Sequence, residues 1–152
     1  MSQSADPTSW TAHDLSAAIA AREISCAEVM WAFLDRIDAV NPAINAIVDL
    51  RGRDQLMAEA VASDDTPAKG WLHGVPFAVK NLVETAGIRT THGSPLFAAH
   101  VPSVDDLLAA RIRAAGAILI GKTNTPEFGL GSHSYNPVHG VTRNPYDIAR
   151  SA

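Results

Sequence analysis

Apolar residues in the first sixty positions recur at helical spacing, and after Trp71 they gather into short unbroken runs. Thr11 with Asp14 three residues on, and Ser25 with Glu28, match the capping box, in which a side-chain oxygen meets an orphan amide at a helix start. Two helices are therefore predicted. In the second, Val29, Phe33, Ile37 and Val40 fall on one face, and Asn41-Pro42 is expected to end it, because the residue before a proline avoids helical backbone. Residues 44–50 are too short and too apolar to type. Residues 54–63 read as a third helix with Leu56, Ala60 and Val61 on its inner side, and residues 64–70 as a loop. Trp10, Trp31 and Trp71 are read as packing residues.

Beyond Trp71 the punctuation changes. Gly74 and Pro76 precede the run Phe77-Ala78-Val79, a buried strand that ends at Lys80. Ser103 with Asp106 predicts a cap for a helix through Leu107, Leu108 and Ile112; Gly116 closes it, and residues 117–120 form a second buried strand. If the two strands are parallel neighbours, the helix is their crossover, right-handed over one face of a sheet, an α/β arrangement. After Gly121 the chain reads mostly as loop, with one helix start at Thr125-Pro126-Glu127. No internal repeat is present.

Composition narrows the function classes. With 47% apolar and 18% charged residues, the 152-residue chain falls in the range of a single soluble globular domain. Its net charge of -4 is not gathered into any basic run, so nucleic acid is not an expected partner. No stretch approaches the roughly 20 apolar residues that span a bilayer, and the polar start through Trp10 does not read as a secretory signal. Cys26 is the only cysteine, which excludes an internal disulfide and every paired-cysteine zinc or redox motif. It is read as a small packing residue, and a reducing cytoplasm is the expected compartment.

Several familiar catalytic patterns are missing: no Gly-x-Ser-x-Gly, no Ser-x-x-Lys and no His-Glu-x-x-His. His13, His73, His92, His100, His133 and His139 show no spacing that sets two ligands on one helical turn, so a metal site is not expected. What remains is Lys80 at the end of the run Gly74-Val75-Pro76-Phe77-Ala78-Val79-Lys80-Asn81-Leu82. Three more blocks follow: Gly87-Ile88-Arg89-Thr90-Thr91-His92-Gly93-Ser94, Gly121-Lys122-Thr123-Asn124-Thr125-Pro126-Glu127-Phe128-Gly129, and Thr142-Arg143-Asn144-Pro145-Tyr146-Asp147. In this order and at these separations they resemble the amidase-signature family from about Trp71 onward, with a looser likeness in the helices before. Asn81 stands where that family commonly has aspartate, and Phe77 where a smaller aliphatic residue is usual.

The resemblance implies N-terminal helices followed by part of a mixed-sheet α/β/α fold: a single partial amidase domain, with residues 9–63 as a helical region and residues 71–152 as the start of the α/β core. It implies an amidase that splits a carbon-nitrogen bond through a Ser-cisSer-Lys mechanism, with Lys80 as the base, a small-molecule amide as substrate and no cofactor. A lysine acting near neutral pH needs its pKa lowered by about three units, roughly 4 kcal/mol, and burial among Phe77, Val79 and Leu82 is the expected source. Replacing Asn81 by the family's aspartate is expected to be mild. The family's Gly-Gly-Ser-Ser-Gly-Gly segment, with both serines, is expected beyond Ala152, so residues 1–152 alone are expected to be inactive. Ser94 and Ser132 are candidate substrate contacts, each following a glycine in a loop; none of Ser94, Ser132, Ser134 and Ser151 is accepted as a substitute nucleophile.

Two rivals stand beside this reading. One is the A-type subunit of a glutamine amidotransferase for transfer RNA, although Thr125-Pro126-Glu127-Phe128-Gly129 looks more like the general amidases. The other is a non-catalytic remnant or scaffold fragment. A half-built sheet would leave a strand edge and apolar surface open, so self-association is expected.

Overall fold

The capping boxes predicted at Thr11 and Ser25 form in the computed structural model, which describes residues 6–152. The part of the signal-peptide reading that rests on residues 1–5 lies outside the described residues. Helix α1 (Ala12–Ala20) starts where Thr11 Oγ1 accepts the Asp14 amide at 3.1 Å. Helix α2 (Cys26–Ile44) starts with a reciprocal pair: the Glu28 amide donates to Ser25 Oγ at 3.1 Å and the Ser25 amide to Glu28 Oε2 at 2.9 Å. The Asp64 carboxylate adds to this N-terminus by accepting from the amides of Cys26 (2.6 Å) and Ala27 (3.2 Å), a favourable site for negative charge.

The buried stripe of α2 is Cys26, Val29, Met30 and Leu34, rotated from the expected one; Phe33, Ile37 and Val40 are only partly covered. Trp31 and Trp71 are exposed, contrary to the packing role expected of them. Nor does α2 stop at Asn41-Pro42. It runs one turn further, because Asn41 caps the end from within. Its Oδ1 accepts from the amides of Ala46 (2.9 Å) and Ile47 (2.8 Å), its Nδ2 donates to the Ile47 carbonyl (2.8 Å), and Asn45 turns the chain with φ 57°. The untyped segment after it becomes strand β1 (Ile47–Leu50).

Helix α3 (Arg53–Asp64) buries Leu56 and Ala60, whereas Val61 is exposed. Strand β2 (Pro76–Lys80) follows the Gly74-Pro76 punctuation as expected. Helix α4 (Leu107–Ala114) begins a turn later than a Ser103 cap would place it. The cap is Asp106, whose Oδ1 accepts from the amides of Leu108 (2.8 Å) and Ala109 (3.0 Å), and the buried residues are Ala109 and Ile112 rather than Leu107 and Leu108.

Strand β3 (Ile118–Thr123) is the middle strand of a three-stranded sheet ordered β1-β3-β2. The Ile118 amide donates to the Val75 carbonyl and the Asn81 amide to the Thr123 carbonyl, so β2 and β3 run parallel and α4 lies on the crossover between them. Strand β1 is antiparallel to β3, with Ile47 opposite Thr123 and Leu50 opposite Gly121. That pairing carries β3 past the expected loop boundary. A Cβ at Gly121 would lie 2.3 Å from the Asp49 carbonyl oxygen, so only glycine lets the two backbones approach there. Two small antiparallel pairs complete the chain: β4 (Tyr135–Asn136) with β5 (Gly140–Val141), and β6 (Arg143–Asn144) with β7 (Asp147–Ser151). The helix start at Thr125-Pro126-Glu127 yields one 3-10 turn, Glu127–Gly129.

The chain divides into two compact units. One comprises the described residues up to Asp38 with Arg51–Phe77 and Arg111–Ile120, and its interior is aliphatic: Val29, Met30, Leu34, Leu56 and Leu119. The other, Ala39–Leu50, Ala78–Ala110 and Gly121–Ala152, has an interior rich in polar side chains, with Asn81, Thr85, Thr90, Thr91, Lys122 and Thr125 fully covered. An interior of that kind is stable only where nearly every donor and acceptor is met.

Within the first unit, Gly74 has φ +73°, and an added Cβ would lie 2.1 Å from Cys26 Sγ. Gly74→Ala should therefore destabilise the chain by about 3 kcal/mol or more, from backbone strain and overpacking together. Adding Cys26→Ala should recover part of the loss, as measured by urea denaturation of the single and double variants.

Candidate functional site

The alternation of β2 buries Val79 and turns Lys80 outward, so Lys80 is exposed at the strand's C-terminal end. The burial expected of this side chain among Phe77, Val79 and Leu82 is not found. Its backbone is held firmly, because its carbonyl accepts from the Val83 amide at 2.9 Å and the next amide, that of Asn81, pairs with β3.

The lysine that is buried is Lys122, on β3. It has no exposed surface, and its Nζ donates to the Val83 carbonyl and, at 2.6 Å, to Thr85 Oγ1. Burial lowers its pKa from 10.5 to about 8, against the opposing pull of Glu84, Asp106, Asp49 and Asp105. Sequence reasoning used Lys122 only as part of a family block and gave it no chemistry. The alternation of β3 supplied no warning, since all of Ile118–Lys122 is buried.

Beside Lys80, the side chain of Asn81 is completely covered. Its Oδ1 accepts from the Thr91 amide at 2.6 Å and its Nδ2 donates to Asp49 Oδ2 at 3.0 Å, with His139 Nε2 3.2 Å away. Asp49 also receives Arg89 Nε at 2.7 Å, and Thr91 Oγ1 lies 3.0 Å from His139 Nε2. Burial lowers the His139 pKa; Asp49 opposes that and Arg89 adds to it, which favours the neutral ring. Asp49, Asn81, Arg89, Thr91 and His139 thus form one ion-pair and hydrogen-bond network at the end of β2, with Arg89 at its exposed edge. Because Asn81 donates to a carboxylate, an aspartate at this position would set two carboxylates face to face.

A second cluster brings together Glu84, His92 and His100. His92 Nε2 lies 2.7 Å from Glu84 Oε1, and His100 Nε2 lies 3.0 Å from Glu84 Oε2. Burial raises the Glu84 pKa, but the hydrogen bonds and charges of His100 and His92 outweigh it and hold the carboxyl below its ordinary value. Phe97 meets both imidazoles edge-on, at 5.1 Å and 5.7 Å, and Phe128 stacks on His92 at 6.4 Å. The sequence separations of eight between Glu84 and His92, and again between His92 and His100, match no helical ligand motif; the turns between them close the distance.

The remaining blocks interlock. Asn124 Nδ2 donates to Thr142 Oγ1 at 3.0 Å, Asn136 Nδ2 donates to Asn124 Oδ1 at 2.6 Å, and Thr142 Oγ1 donates to the Asn45 carbonyl at 2.6 Å. These side chains hold loops rather than face solvent. Ser94 is likewise buried, capping the 3-10 turn Pro95–Phe97 by accepting from the Leu96 amide at 3.4 Å, whereas Ser132 is exposed in a bend. No serine hydroxyl bonds to Lys80 Nζ among the described residues. In the first unit, a cavity of about 540 Å³ is lined by Ser25, Cys26, Ser63, Asp64, Trp71 and His73 among others. At its edge Cys26 is buried and its thiol is pushed up to about 12 by burial and by Asp64, which makes it inert as a nucleophile.

Two outcomes follow for the buried polar groups. Between about pH 8 and 10.5 the unfolded chain holds the Lys122 proton that the folded chain has released, so this group makes stability rise with pH across that window. The drop from 10.5 to about 8 corresponds to roughly 3 kcal/mol. The unfolding free energy of the wild type, relative to Lys122→Met, should therefore climb by up to that amount from pH 8 to 10.5; a flat difference would refute the burial effect. Asn81→Asp should cost about 2–3 kcal/mol at pH 8, because a buried carboxylate meets Asp49. Its deficit should shrink as pH falls toward 5, since the crowded pair binds a proton more tightly than the unfolded carboxyl does, and denaturation at the two pH values reads this directly.

Comparison with known proteins agrees with this arrangement of blocks. The Amidase family model matches residues 28–152. The chain is 43% identical over 144 residues to the A-type subunit of the glutamyl-tRNA(Gln) amidotransferase from Acidothermus cellulolyticus, covering 92% of this chain and 28% of the relative. It is 42% identical over 142 residues to an indoleacetamide hydrolase from Bradyrhizobium diazoefficiens, covering 91% and 27%. The crystal structure of the peptide amidase from Stenotrophomonas maltophilia superposes with a TM-score of 0.81 at 32% identity, over 93% of this chain and 31% of that enzyme. The chain spans less than a third of the length of each of these proteins, and with a family match over residues 28–152 and relatives above 40% identity, it belongs to the amidase family.

Proposed function

We propose that this chain supplies the lysine base of an amide-hydrolysing active site, with Lys80 working through a bridging serine to activate a second serine that attacks the amide carbonyl. The observation that carries this reading is the setting of Lys80. It ends β2 in the parallel β2/β3 pair, the peptide that follows it is held through both its carbonyl and its amide, and its side chain is exposed. Reactive groups in open α/β sheets gather beyond the carboxyl ends of the strands, where the following loops converge. Lys122, in contrast, donates to a carbonyl and a hydroxyl inside the protein and has no exposed surface.

The substrate class is an amide, with neither metal nor cofactor needed for the acyl transfer. Ser132, exposed, is the serine available for substrate contact; Ser94 is already engaged as a cap. Identity alone does not separate a general amidase from the tRNA-linked subunit, since 43% and 42% are equivalent. The block Thr125-Pro126-Glu127-Phe128-Gly129 favours the general amidase.

The test joins the chain to the C-terminal segment of an amidase relative and assays ammonia release from simple amides and from glutamine. Lys80→Ala should lower turnover by about 10²- to 10⁴-fold with unchanged circular dichroism, because a general base is lost. Lys80→Arg should be equally poor, since a guanidinium does not give up its proton. Near-normal turnover in either variant would remove Lys80 from the mechanism, and a preference for glutamine over aliphatic amides would favour the tRNA-linked subunit.

A further inference from the structure

We propose that Glu84, His92 and His100 form a binding site for a divalent transition-metal ion of the zinc class. One ligand atom from each lies within 4.8 Å of the other two. Two imidazole nitrogens and a carboxylate oxygen are a donor set for zinc, leaving a further coordination position open to water. The same set disfavours calcium and magnesium, which take oxygen ligands.

The geometry needs only a small adjustment. Metal bonds of about 2.0–2.2 Å place tetrahedral ligand atoms about 3.3 Å apart, while the present separations are 2.7 Å and 3.0 Å. The side chains have room to make it: His92 is 19% exposed, His100 38% and Glu84 35%. Their backbones, in contrast, are fixed. The Glu84 carbonyl accepts from the Asp106 amide at 2.9 Å, the His92 carbonyl from Phe128 at 2.7 Å, and the His100 carbonyl from Thr90 at 2.9 Å. His92 also holds φ 52°, a left-handed conformation that histidine adopts more readily than most non-glycine residues. Phe97 packs edge-on against both imidazoles and Phe128 stacks on His92, apolar contacts that reduce water access to the rings.

The ion-free state uses the same atoms, with each imidazole against one carboxylate oxygen. Binding replaces those contacts: each Nε2 presents its lone pair to the ion, with the ring proton on Nδ1 or released. Lys122, the buried cation whose charge is felt at Glu84, has its ammonium engaged with Val83 and Thr85 and makes no hydrogen bond to the Glu84 carboxylate. A bound ion would tie residues 84–100 together, and stability would rise with its concentration.

The experiment titrates the chelator-stripped 152-residue chain with Co²⁺, read by its visible absorption, and with Zn²⁺ by competition, with thermal unfolding in parallel. The expected result is one equivalent bound, a low-coordinate Co²⁺ spectrum, and a higher melting temperature with Zn²⁺. His92→Asn, His100→Asn and Glu84→Gln should each weaken binding by at least about tenfold, while His13→Asn and His133→Asn should leave it unchanged. A variant that fails to fold is replaced by His100→Cys, whose thiolate should add a near-ultraviolet charge-transfer band to the Co²⁺ spectrum. Cys26, buried and held protonated, does not compete for that band. Absence of a saturable equivalent, equal binding by all the variants, or no new band with His100→Cys would each overturn the site.

Discussion

An ammonium with no exposed surface must be met by oxygens, and in this chain Lys122 takes them from the turn that follows β2. The Val83 carbonyl and Thr85 Oγ1 are drawn onto its Nζ, which fixes where residues 83–85 lie against the end of β3. The groups beside that turn are placed by the same constraint. Asn81 stands at its start, joined to Asp49 and the Thr91 amide, and Glu84 stands in its middle, turned toward His92 and His100. Burying a charge costs several kcal/mol before its partners are counted. Polar side chains around it are therefore packed with few unmet groups, and no buried side-chain nitrogen or oxygen among the described residues lacks a hydrogen-bond partner.

The two lysines divide roles that their sequence settings do not separate. Lys80 and Lys122 each end or nearly end an apolar run, so hydropathy alone marks both as strand-end lysines whose stems pack. Which one is buried depends on what covers each strand. Strand β3 is central, with a neighbour on each side and the turn 83–85 over its end; β2 is at an edge, and its last side chain points outward. The lysine with the lowered pKa is thus the structural one, and the exposed one carries the proposed chemistry. A perturbed pKa points to function only when geometry supports it.

Tertiary contacts also moved element boundaries where local signals were sound. Asn41-Pro42 is a genuine helix-breaking pair, yet α2 continues because Asn41 can satisfy the amides beyond the break. Ser103 and Asp106 both have capping side chains, but Asp106 is the one that meets the first amides of α4, while Ser103 is left exposed. In the last third of the chain, side chains of Asn124, Asn136 and Thr142 hold segments that local pattern reads as loop, because long-range hydrogen bonds leave no periodic trace.

By itself the sequence determined the family, the capping boxes at Thr11 and Ser25, the order of the four helices with strands β2 and β3, and the position of Lys80 at a strand end. These depend on local preference and on blocks of fixed order, which survive without knowledge of distant contacts. Only the tertiary structure decided which apolar face of α2 is covered, that β2 and β3 are parallel, and that Lys122 rather than Lys80 is buried. It also decided that Asp49 meets Asn81 across 32 positions and that Glu84, His92 and His100 converge. Those outcomes rest on through-space partners, and a hydrogen bond or an ion pair is set by distance and direction, neither of which is written in the spacing of residues along a chain.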